Sequence, residues 1–181
     1  MLKNFWRGSR RGTRGTPWMI QALLLFALLL YFSLALGTAL DKSLTRDEPI
    51  HILRGYTLWQ THDLRFQFEH LPLSHYLIGA LLWTEPSLPQ ATALPGWETG
   101  EPLQAAYDLV WGRGVGPHVR RVVMLSRYPI VLMGTLLGAL AIRWARERGG
   151  ALTGVIVGAC CALDPNWLAN AALATTDAPI T

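Results

Sequence analysis

Charge is scarce in this chain. Only 15% of its 181 residues are Asp, Glu, Lys or Arg, against 51% apolar, and the mean hydropathy is positive at +0.24. That balance excludes a disordered polyelectrolyte and suits a membrane protein with a polar loop better than a water-soluble globule. Cysteine is scarcer still. Cys160 and Cys161 are the only two; they are adjacent and sit inside an apolar run. Neighbouring cysteines exclude an ordinary structural disulfide and offer no zinc-type spacing, so they read as small residues buried in a membrane segment. Internal repeats are absent, as is any low-complexity tract beyond a basic tail.

The formal net charge of +4 is unevenly spread. Lys3, Arg7, Arg10, Arg11 and Arg14 crowd the amino terminus, and Arg143, Arg146 and Arg148 form a second cluster. Each cluster abuts an apolar segment. They therefore read as topology signals that face the cytoplasm and anionic lipid, not as a nucleic-acid surface.

Residues 1–17 form the basic cytoplasmic tail. From 18 to 40 runs an uncharged apolar segment, long enough to cross a hydrocarbon core of roughly 30 Å. Gly37-Thr38-Ala39 resembles a signal-peptide cleavage site, but the run exceeds a usual signal core, so an uncleaved first transmembrane helix is expected. Residues 41–121 hold most of the acids and prolines and are expected as an extracytoplasmic loop. Within it, Leu71–Trp83 is apolar but too short to span, and is predicted as an interfacial helix with His75, Tyr76 and Trp83 at its edges. Thr84–Pro102 is broken by prolines and glycines, Leu103–Trp111 is expected as a short helix, and Gly112–Pro117 as a turn.

A second span is predicted over 122–144, a cytoplasmic turn over 145–150 and a third span over 151–176, with Asp164-Pro165 as a break. The chain thus reads as an all-α membrane protein of about three transmembrane helices, its large loop between the first and second. Residues 177–181 would begin a fourth. That count delivers Asp177 to the side of the membrane that holds Asp47.

Asp47 and Glu48 follow the first span closely. Thr45, the two acids and Pro49 read as a helix start, and the same acids suit general-base chemistry at a membrane surface. Glu48 and His51 share a helix face at i, i+3, and His70 is a third candidate ligand, so Glu48, His51 and His70 form a candidate site for a divalent metal ion. Arg127 falls near the start of the second span, where a charge is costly. It reads either as snorkelling to the interface or as a clamp on a phosphate.

These residues together resemble the polyprenyl-phosphate-sugar glycosyltransferases of the GT-C class, in particular the protein O-mannosyltransferase and aminoarabinose transferase group. The resemblance rests on Asp47-Glu48 after the first span, His70-Leu71-Pro72-Leu73 in place of a His-Pro-Pro-Leu element, and Ser126-Arg127. Ala162-Leu163-Asp164-Pro165 and Thr175-Thr176-Asp177-Ala178-Pro179 complete it. It implies transfer of a sugar from a polyprenyl-phosphate donor on the extracytoplasmic face. Asp47 would be the base with Glu48 beside it, and Arg127, Asp177 and His70 would contact substrate. Such enzymes have many more helices, so the chain is expected to be an amino-terminal portion in the plasma (inner) membrane. The alternative is a truncated, non-catalytic relative that serves as a subunit among other membrane chains.

Overall fold

The computed structural model describes residues 18–66 and 72–176. Among these the chain is all-helical. Two helices are long and apolar enough to cross a bilayer, α1 (Trp18–Asp41) and α5 (Pro117–Gly149), with mean hydropathies of 2.3 and 1.6.

α1 is apolar all round, yet only Leu24, Tyr31, Ala35 and Ala39 are buried. Those positions recur every four or seven residues and make one stripe, against which α5 and α6 (Ala151–Leu163) pack. The large side chains Leu25, Phe26 and Leu29 stay exposed on the other faces. α5 starts earlier and ends later than the apolar run 122–144 predicts. Gly116, at φ 102°, turns the chain, and Pro117 sets the first helical residue. α5 continues through Pro129, which has no N–H to give to the helix ladder.

Gly150, at φ 85°, reverses the chain into α6. α6 comes close to its neighbours because Gly158 has no side chain: a Cβ there would stand 3.3 Å from both Ala27 and Ile142. At Asp164-Pro165 the path bends by 62° into α7 (Pro165–Ala171), and Asp164 caps α7 by accepting from the backbone N–H of Asn166 and Trp167. The third span expected over 151–176 falls on this bent pair, which reaches a spanning length only when its two helices are taken together.

Between α1 and α5 the chain builds a compact cap. α2 (Glu48–Thr61) and α3 (Pro72–Gly79) cross backbone against backbone at Gly55 and Gly79; a Cβ on Gly55 would meet the His75 carbonyl at 2.6 Å. α3 is shorter than the predicted 71–83 helix, and His75 is fully buried instead of marking an interfacial edge. The predicted loop over 84–102 contains one 3-10 turn, Ala91–Ala93, and α4 (Pro102–Trp111) follows where a short helix was expected. Ile52, Leu53, Tyr56, Ile78 and Leu109 form the centre of the cap and extend its core to Ile130 on α5.

Candidate functional site

Three partners of Glu48, one local and two distant in sequence, define the site. Glu48 opens α2, with Pro49 behind it and Asp47 at the N-cap. Its Oε2 accepts from the backbone N–H of Thr45 at 2.8 Å and from the Thr45 hydroxyl at 3.2 Å. The Thr45-x-x-Glu48 spacing lets the carboxylate reach back and close the turn that leads into α2. The same carboxylate meets Arg127 edge to edge: Nε donates to Oε1 at 2.8 Å and Nη2 to Oε2 at 2.7 Å. Oε1 also accepts from the N–H of Ala174 at 2.9 Å.

Arg127 spends its remaining donors on α1. Nη1 donates to the carbonyls of Ala39 and Lys42 at 2.7 and 2.8 Å, and Nη2 to that of Ser43 at 3.1 Å. A guanidinium has five N–H groups and all five are used. Both side chains are wholly inaccessible to solvent. One ion pair therefore ties together the end of α1, the start of α2, the third turn of α5 and the chain beyond α7. A charge at this position needs a partner, and the partner is Glu48. This corrects the snorkelling reading of Arg127. It also leaves the guanidinium no donor for a substrate phosphate in this arrangement.

Burial taken alone would push the Glu48 carboxyl up. The Arg127 guanidinium and the two backbone N–H groups outweigh it and hold the carboxyl below the usual carboxylate range. Glu48 is thus an anion committed to structure. Its lone pairs are directed at a cation and two amides, so it does not fit as a ligand in the metal site expected with His51 and His70. His51 faces elsewhere: its Nδ1 lies 3.0 Å from Nε2 of His75, the two rings stacked with centroids 5.3 Å apart. Among the described residues no group of three or more His, Cys, Asp or Glu converges. His70 lies outside the described residues.

Asp47 is different. It is exposed, its side chain makes no cap hydrogen bond, and it stands one residue from the fully buried Glu48. Its own carbonyl accepts from the N–H of Ile50 and His51, which fixes the backbone that carries it. Here a carboxylate can receive a proton from a bound hydroxyl without disturbing the ion pair.

Of the expected site residues, Asp47, Glu48 and Arg127 do come together at one end of the spans. Asp177 lies outside the described residues, but the preceding Ala174 reaches Glu48, and Thr175 and Thr176 are buried. The chain beyond α7 thus comes back to the segment that carries Asp47. Two features escaped sequence reading. The His51–His75 pair needs the Gly55–Gly79 crossing, and only those glycines hinted at it. The carbonyls of Ala39, Lys42 and Ser43 carry no side-chain signal at all. No family model, curated protein or solved structure matches the chain.

Proposed function

We propose that this chain is the amino-terminal part of a membrane glycosyltransferase that moves a sugar from a polyprenyl-phosphate donor to an acceptor at the extracytoplasmic face. One observation carries the reading: an exposed carboxylate, Asp47, is mounted at the membrane end of the spans on a buried ion pair that joins four chain segments. Catalytic groups need such mounting, because small displacements cost rate. Asp47 is the base that takes the acceptor's proton, Glu48 holds the loop that presents it, and Asp177 contacts substrate from the same side. The basic tail and Arg143, Arg146 and Arg148 support an amino terminus in the cytoplasm, and the resemblance to the polyprenyl-phosphate-sugar transferases supports the plasma (inner) membrane. Asp47 and the cap are then outside.

The test is sugar transfer in membranes from polyprenyl-phosphate-linked mannose and aminoarabinose, using the full gene product. Asp47→Asn should cut the rate by about a hundredfold or more, the usual scale for losing a general base, and leave the unfolding temperature unchanged. A rate within threefold (roughly 0.7 kcal/mol) of the parent protein would remove Asp47 from catalysis.

The complete internal use of Arg127 favours a second reading, a non-catalytic subunit that keeps the ion pair for assembly alone. No transfer by the parent protein, with co-purification of other membrane chains, would select it.

A further inference from the structure

Lys42 and Ser43, whose carbonyls Arg127 holds, also line an open groove of about 460 Å³ at the same end of the spans. It runs between the last residues of α1 and the first turns of α5. Leu40, Leu44, Val123 and Met124 give it apolar walls. Lys42 and Arg120 are its charged lining residues, both exposed, and no carboxylate lines it. Gly116, also in the wall, caps α5 without a side-chain hydrogen bond, so a 33-residue helix adds the positive end of its dipole.

Apolar walls, two cations and a position where a membrane span ends define the ligand chemistry closely. A small soluble anion would match the charges but leave the walls wet. A zwitterionic or neutral lipid would cover the walls but leave the cations without a net counter-charge. An amphiphile with one anionic headgroup and a hydrocarbon chain matches both. The volume lies within the range of specific ligand sites, about 300–1,000 Å³.

We propose that this groove docks an anionic phospholipid of the surrounding leaflet. The phosphate sits between Lys42 and Arg120, and the upper acyl chain follows Leu40, Val123 and Met124. Arg127 grips residues 42 and 43 from inside, and the lipid braces the same segment from outside. Bilayer composition thereby bears on the segment that leads into Asp47. The proposal does not depend on sugar transfer, and its readout is lipid retention.

The full chain is reconstituted in nanodiscs of equal phosphatidylglycerol and phosphatidylcholine. It is then moved to detergent, and retained lipid is counted by native mass spectrometry. The parent protein should keep phosphatidylglycerol preferentially. The double variant Lys42→Gln/Arg120→Gln should lose that preference by roughly tenfold, since each basic residue contributes appreciably to anionic-lipid attraction. Arg113→Gln, an exposed cation that does not line the groove, should keep it. Both side chains of the double variant are exposed, so helicity by circular dichroism should match the parent. Equal retention in parent and double variant would overturn the proposal, as would an equal loss in Arg113→Gln, which would mean diffuse charge attraction. Displacement of the bound lipid by millimolar inorganic phosphate would also overturn it, in favour of a free-anion site.

Discussion

The cap and the membrane helices are packed by opposite rules. In the cap, large side chains point inward: Ile52, Leu53, Tyr56, Phe66, Ile78, Leu82 and Leu109 are all fully buried. In the cluster between the spans the buried set is chiefly small, Ala35, Ala39, Ala162, Ala171 and Ala172 around Tyr31 and Val131, with Leu24, Ile130 and Ile142 as larger buried groups elsewhere on α1 and α5. Other large residues there, such as Leu29, Leu132, Leu136 and Leu140, face outward. Solvent explains the difference. Water drives bulk apolar groups into the cap, whereas hydrocarbon gives the spans no such incentive and rewards close backbone approach instead. The Glu48–Arg127 pair stands where the two regimes meet, and its hydrogen bonds reach into both.

Breaking that junction should produce the largest effect. Arg127→Met leaves the Glu48 carboxylate buried without its cation, and losses of this kind run about 3–5 kcal/mol. Cap and spans should then unfold separately, seen as two transitions in detergent where the parent protein shows one. Glu48→Gln/Arg127→Met, which buries no unpaired charge, should recover a good part of the loss. If Arg127→Met alone cost under about 1 kcal/mol, the ion pair would not be the junction.

The same junction gives a smaller, graded effect with pH. The Glu48 carboxyl titrates below its ordinary value of 4.5 in the folded chain. Its contribution to stability is therefore complete above that value and fades as pH falls below it through the lowered folded value. The parent protein should lose its stability advantage over Glu48→Gln progressively below about pH 4.5 and hold it unchanged at neutral pH. An advantage that instead faded between neutrality and pH 5 would mean that Glu48 is not the titrating group.

How far the sequence could be read follows the same divide. α1, the Arg-rich end of α5 and the break at Asp164-Pro165 were legible because hydropathy and proline act locally. α4 was legible from the glycine turn behind it. α2 showed only its start. Nearly every residue from Glu48 to Leu58 is buried, so no polar face alternates with an apolar one and no period exists to read. Arg127 was visible as an anomaly, but its partner lies 79 residues away and its other acceptors are carbonyls. The roles of Asp47 and Glu48 could not be separated either. Adjacent acids look alike until one is buried and the other is not.

The smallest predicted effect tests the packing rule directly. Ile52→Ala, at the centre of the cap, should cost about 2–5 kcal/mol, because it removes buried surface and leaves a cavity. Leu136→Ala, in the middle of α5, removes a side chain that is 60% exposed toward what the bilayer would occupy. In lipid the leucine gains little on folding, since it contacts hydrocarbon before and after the helices pack, so the change should stay within about 0.5 kcal/mol. Unfolding both variants in the same lipid-detergent mixture makes the comparison. A Leu136→Ala loss as large as that of Ile52→Ala would mean that this face of α5 is covered by protein. The outward leucines would then belong to an interface with further helices, and the inverted packing of the spans would hold only for the part of the assembly that this chain supplies.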